Sequence, residues 1–135
     1  MIIENEIALF CRTYMCLRPR LSIRRSEMTV LGILCGVPGV HTPVSLANML
    51  CVSRPMIASH LAALQSAGYV TRVASPEDGR SVYILPTKSG KKLYSEYHSA
   101  SQRVLANLSR QMGAKKFDTF VKLITTANKI LGAQD

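Results

Sequence analysis

A chain of 135 residues has the length of one domain with a real core but not of two. Its 17 Lys and Arg against 8 Asp and Glu leave a formal charge of +9, the electrostatic footprint of a nucleic-acid binder. No apolar run approaches the ~20 residues of a membrane span, and eight acids leave little material for a paired-carboxylate active site.

The predicted elements, in chain order, begin with a helix over residues 2–17. There Ile3, Ile7, Phe10, Tyr14 and Leu17 recur at near-helical spacing, and Pro19 stops it. The opening MIIENEIALF starts with acids rather than the basic stretch of a secretory signal, so the expected compartment is cytoplasmic. A basic cluster follows, Arg18, Arg20, Arg24 and Arg25. Ser26 is the expected N-cap of a helix from Glu27 to Cys35 with Val30, Leu31 and Leu34 on its apolar face and Gly36 closing it. Thr42-Pro43 opens a short helix through Leu50, with the proline just inside the start, where its missing N–H costs little.

After Cys51-Val52, Ser53 is a good N-cap for the next helix and Pro55 sits in its first turn. Ile57, Leu61 and Leu64 form its buried stripe, and Gly68 supplies the left-handed residue that ends it. Its opposite face carries Arg54, Met56, Ser59, His60 and Ala63 and no acid. Indeed no aspartate or glutamate occurs from Met28 to Pro76. The runs Tyr69–Val73 and Val82–Leu85 are β-branched and aromatic, as strands should be, and Ser75 to Arg80 has the chemistry of a tight hairpin tip. Thr87 caps a long helix towards Met112 with Leu93, Tyr97, Val104, Leu108 and Met112 inside. After Gly113 a last helix from Ala114 to Leu131 aligns Phe117, Phe120, Val121, Ile124, Ala127 and Leu131.

Pro43 to Leu50, the Cys51-Val52 turn and the helix from Arg54 make a helix-turn-helix pair whose second helix enters the major groove. Ser53, Arg54, Met56, Ser59 and His60 are its candidate recognition residues, while Arg72 and Lys88 are placed to meet phosphates. The terminal helices are apolar on one side. Pairing them with their copies in a second subunit would bury both stripes and set two recognition helices about one DNA turn apart.

Cys11, Cys16, Cys35 and Cys51 show no CxxC pairing and no zinc spacing with His41, His60 or His98, so each is expected to be a small buried hydrophobe. No nucleophile elbow or phosphate loop is present. The chain is expected not to be an enzyme, and no cofactor or metal is assigned to it.

The order of elements and several motifs resemble the MarR-type (multiple-antibiotic-resistance) winged-helix regulators over essentially the whole chain. The residues that carry the resemblance are Ser45-Leu46-Ala47 with Leu50, Ser53-Arg54, Leu64 with Gly68-Tyr69-Val70-Thr71-Arg72, the wing Asp78-Gly79-Arg80-Ser81, and Pro86-Thr87-Lys88-Ser89-Gly90. The resemblance implies a mainly α fold with a small β-wing, in which a winged helix-turn-helix core is flanked by N- and C-terminal dimerisation helices. The expected boundaries are one domain over 1–135, a DNA-binding region over 26–86, and dimerisation helices over 1–18 and 87–135.

By the same resemblance Arg80 enters the minor groove and Asp78 braces the wing. The implied function is a homodimeric repressor released from a pseudo-palindromic operator in double-stranded DNA by a small aromatic or phenolic effector, lodged between the dimer helices and the winged unit. Met56, Ala58 and Ser59 depart from the threonine, serine and arginine usual in that family, which shifts recognition towards the wing and DNA shape. Three alternatives stand beside it. Peroxide sensors of the same fold use a first-helix thiol, which points to Cys11 or Cys16 as redox residues. The arsenical-resistance (ArsR-type) metal sensors resemble Leu50-Cys51-Val52-Ser53, but Ser53 stands where their second thiolate is needed. The third is a basic module that binds protein instead of DNA.

Overall fold

A computed structural model describes residues 2–77 and 79–133, and local sequence accounts for where each element starts and stops. The order is α1 (Ile3–Leu17), α2 (Arg25–Gly36), α3 (Pro43–Leu50), α4 (Arg54–Ser66), β1 (Val70–Ala74), β2 (Val82–Pro86), α5 (Lys88–Met112) and α6 (Ala114–Gly132). This is the expected mainly α architecture with one two-stranded antiparallel wing. Arg18, just before Pro19, is extended (φ −70°, ψ 147°) as that position requires, and α1 ends there.

Several expected boundaries move by a residue or two, and for two of them the cause is visible. Helix α2 begins at Arg25 with Arg24 as N-cap, because the Glu27 carboxylate accepts the Arg24 N–H at 3.0 Å and so draws Ser26 into the first turn. Strand β1 begins at Val70, because the Tyr69 N–H is already committed to the Leu64 carbonyl at 2.9 Å.

The chain forms two units, residues 20–98 and residues 1–19 with 99–135, and α5 runs through the boundary. The first is a winged unit with a dense core. Val30 and Leu31 of α2, Leu46 of α3, Leu61 and Leu64 of α4 are all fully buried, and Ile57 and Ile84 are 1% exposed. The predicted stripes of α2 and α4 are thus the core, each such side chain contributing about 1.5–3 kcal/mol. Register places Arg72 opposite Ile84 and Val73 opposite Tyr83. Val73 and Leu85 lie on the exposed face of the wing, and the backbone of His41 adds an isolated bridge to Ile84 on the sheet's other edge.

The second unit has no such core. None of its described residues is buried. An aromatic group holds it, with Phe10 stacked on Tyr14 at 6.0 Å and edge-on to Phe120 at 5.5 Å. Ile3, Ile7, Leu123 and Leu131 stay 59–67% exposed.

The cysteines do not fulfil the expectation of burial. Cys11, Cys16 and Cys51 are exposed and Cys35 is half-buried. Cys11 and Cys16 lie on α1, none of whose residues is buried, and Cys51 sits in a surface turn with φ 53°.

Candidate nucleic-acid interface

The helix-turn-helix is fixed by short-range hydrogen bonds. Thr42 Oγ1 accepts the Ser45 N–H at 3.1 Å and Ser45 Oγ accepts the Thr42 N–H at 2.8 Å, a reciprocal cap on α3. Helix α3 ends at Cys51 in the left-handed region, and the Val52 N–H returns to the Ala47 carbonyl at 3.1 Å. That reversal sets up α4 at once, whose cap Ser53 accepts the Met56 N–H at 3.2 Å. With Ile57, Leu61 and Leu64 committed to the core, the amino-terminal turns of α4 present Arg54, Met56 and Ser59 to solvent. His60 is half-buried at the margin of that face.

At its other end α4 closes in a Schellman turn. The Gly68 N–H reaches the Gln65 carbonyl at 3.0 Å and the Tyr69 N–H the Leu64 carbonyl at 2.9 Å, with Gly68 at φ +82°. Thr87 clamps this turn from the start of α5. Its hydroxyl donates to the Gly68 carbonyl at 2.6 Å and accepts the Gly90 N–H at 3.1 Å, while its own N–H donates to the Tyr69 carbonyl at 3.0 Å. The buried Gly90 allows the approach, since a Cβ there would lie 2.2 Å from the Tyr69 oxygen.

Beyond the turn, Arg72 Nε donates to Gln65 Oε1 at 2.9 Å. At the base of the wing tip the Ser75 N–H bonds the Ser81 carbonyl at 2.9 Å, and Ser75 Oγ donates to the Tyr83 hydroxyl at 3.2 Å. Arg80 is exposed at that tip, and Lys88 is exposed at the first position of α5. Asp78 lies outside the described residues.

Arg54, Met56, Ser59, Arg72, Arg80 and Lys88 are therefore all solvent-facing positions of one unit. No acid stands in the first turn of α3, α4 or α5, and Arg54 and Lys88 occupy the first positions of α4 and α5. A cation at a helix amino terminus works against the macrodipole by about 0.3–1 kcal/mol, and an incoming phosphate reverses that sign.

Three contributors escaped sequence reasoning. Gln65 carried no signal, because its partner is seven residues away across a turn. His41 looked like an isolated histidine. It is buried, donates from Nε2 to the Val37 carbonyl at 2.9 Å, and accepts the Ile84 N–H at 2.9 Å, which ties the α2–α3 turn to the wing. Gly90 belonged to a motif, but only its contact with Tyr69 shows why a glycine is needed. Beside the α2–α3 turn lies an open cavity of about 540 Å³ lined by Cys35, Pro38, Pro86, Lys91 and Tyr94. Burial raises the pKa of the Cys35 thiol there, with the Lys91 charge pulling the other way. Among the described residues no three of His, Cys, Asp and Glu come together as a metal site, and no helix is long and apolar enough to cross a membrane.

Comparison with known proteins accords with this geometry. Residues 23–82, from α2 to the start of β2, match the model of the MarR family. Over those residues the chain is similar to the MarR family. Relatives of this chain include the HTH-type transcriptional regulator FarR of Neisseria gonorrhoeae, 32% identical over 63% of this chain. The match spans 58% of FarR's own length. The homoprotocatechuate degradative operon repressor of Escherichia coli is 25% identical, over 78% of this chain and 70% of the repressor. Among solved structures, Streptococcus pneumoniae FabT in complex with DNA superposes with a TM-score of 0.83, covering 98% of this chain and 96% of FabT at 21% identity, which establishes the fold. NadR in complex with 4-hydroxyphenylacetate gives a TM-score of 0.71 at 25% identity, covering 95% of this chain and 89% of NadR.

Proposed function

We propose that this chain is a transcriptional regulator of the MarR family that acts as a homodimeric repressor on a pseudo-palindromic operator. The observation that carries the reading is the joint exposure of the α4 amino terminus and the wing tip on one unit, with no acid between Met28 and Pro76 to repel phosphate. Arg54, Met56 and Ser59, with Ser53 at the cap and His60 at the margin, read base edges in the major groove. Arg72 and Lys88 hold phosphates, and Arg80 enters the minor groove, with Asp78 bracing its loop.

Dimerisation is supported by the coreless second unit, whose Ile3, Ile7 and Leu131 are 59–67% exposed. Apolar stripes of this kind on two helices mark an association surface. Repression and release by a small aromatic or phenolic effector are supported by the repressor name of the E. coli relative and by the 4-hydroxyphenylacetate held by NadR.

Selection of bound fragments from a random DNA pool tests this reading, and a symmetric site with two half-sites about one helical turn apart is the expected product. On that site Arg80→Ala lowers affinity by about 1–3 kcal/mol and the salt slope by about one unit per subunit. It also relaxes A·T against G·C discrimination at the outer positions, because the minor groove carries a degenerate code. No enrichment, or wild-type affinity and salt slope for Arg80→Ala, overturns this mode of docking.

A further inference from the structure

Arg72 is held by a neutral amide on a turn that is itself fixed, and this arrangement has a consequence for DNA binding. Gln65 lies in the last turn of α4 and Arg72 in the middle of β1, and their bond at 2.9 Å uses only Arg72 Nε. The four N–H donors of the two terminal nitrogens are left as a fork. The six residues between them follow the Schellman turn at Gly68, which Thr87 grips at two carbonyls, Gly68 O at 2.6 Å and Tyr69 O at 3.0 Å. The two side chains are exposed, so a bond between mobile surface groups would count for little. Here the backbone on both sides is anchored, which lowers the entropy of holding the guanidinium in place.

The chemistry of the partner matters as much as its position. A carboxylate at residue 65 could accept the same bond but would cancel the Arg72 charge and repel a phosphate. Position 65 instead carries the amide, in a stretch from Met28 to Pro76 that contains no acid. The amide orients the cation and leaves its charge intact.

Building on the proposed function, we infer that Gln65 is a positioning residue for DNA binding, which aims the Arg72 guanidinium at a backbone phosphate while preserving its full positive charge. Two substitutions separate orientation from charge. Gln65→Met keeps the length and helix propensity but cannot accept the bond, so operator affinity falls about two- to tenfold, the worth of one hydrogen bond. Its salt slope is unchanged because Arg72 is still charged. Gln65→Glu keeps the bond but neutralises the pair, so affinity falls and the salt slope drops by about 0.9 per subunit. Arg72→Ala gives the Glu-type slope change, and melting curves of all three match wild type because these sites are exposed.

The experiment is fluorescence anisotropy on the selected operator, at salt concentrations from low to physiological. Wild type that binds no selected DNA refutes the proposed function itself. If wild type binds and Arg72→Ala weakens it, yet both Gln65 variants keep wild-type affinity and slope, the positioning role is wrong. It is equally overturned if Gln65→Met lowers the slope as much as Arg72→Ala, or if Arg72→Ala has no effect.

Discussion

Gly90→Ala sets intrinsic helix propensity against tertiary packing, and the two predict opposite signs. Gly90 is the third residue of α5, where alanine is favoured by about 1 kcal/mol on propensity alone. In the fold a Cβ at this position would meet the Tyr69 carbonyl oxygen at 2.2 Å, the Tyr69 carbon at 3.1 Å and Leu31 Cδ1 at 3.3 Å. The first of these is backbone and cannot rotate away. Restoring an ordinary contact of 3.4 Å moves the start of α5 and the Tyr69 turn apart by about 1.2 Å. That movement stretches the Thr87 bonds to Gly68 O and Tyr69 O, now 2.6 and 3.0 Å. Each is worth about 1 kcal/mol, and overpacking against Leu31 adds about 1–3 kcal/mol. After the propensity gain the net loss is about 2–4 kcal/mol. Urea unfolding followed by circular dichroism at fixed protein concentration should show the midpoint fall by about 1–2 M. A Gly90→Ala protein as stable as wild type, or more stable, would refute the argument that this close approach shapes the winged unit.

Leu131→Glu tests the association surface: it lies 66% exposed, so the substitution should leave the subunit fold within about 0.5 kcal/mol, yet abolish the dimer by light scattering, since burying the charge costs several kcal/mol. This site is preferable to Phe120, whose ring already packs edge-on against Phe10 at 5.5 Å within the chain; a Leu131→Glu protein that stays dimeric removes this stretch from the interface. Cys51→Gly should be neutral or stabilising by up to about 1 kcal/mol, because glycine relieves the φ 53° backbone, while Cys51→Val loses about 1–2 kcal/mol from a β-branched side chain in that region; chemical denaturation ranks the two, and the reverse order would contradict the left-handed turn. For the thiol-sensing alternative, operator binding before and after mild hydroperoxide is compared in wild type, Cys11→Ser and Cys16→Ser. The expected outcome is no release in any of them, and release that disappears in one variant would assign that exposed thiol a redox role.

Element boundaries were legible in the sequence because they are set by neighbours within a few residues. Thr42-Pro43 and Ser53 announce helix starts through side chains that satisfy nearby amides. Gly68 and Pro19 announce stops through backbone geometry, and the spacing of Ile57, Leu61 and Leu64 identifies the buried side of α4 without any knowledge of what covers it. The missed start of α2 is also local: Glu27 competed with Ser26 for capping, and the carboxylate reaching back to Arg24 won. The candidate DNA-facing positions followed from the same logic, since what an amphipathic helix does not bury it exposes.

What the sequence could not supply is set by contacts between segments distant in the chain. Cysteine burial depends on which faces find partners, and the half-buried Cys35 and exposed Cys11, Cys16 and Cys51 show that residue type is a weak guide to that. His41 acquires meaning only when Ile84, 43 residues later, pairs with its backbone. Gly90 is required by a carbonyl 21 residues earlier, and Gln65 meets Arg72 across a turn that Thr87, 22 residues beyond Gln65, bonds at Gly68. Local propensity selects the elements, whereas the placement of a guanidinium or the room for a Cβ is decided by packing, where displacements of about 1 Å carry kcal/mol consequences.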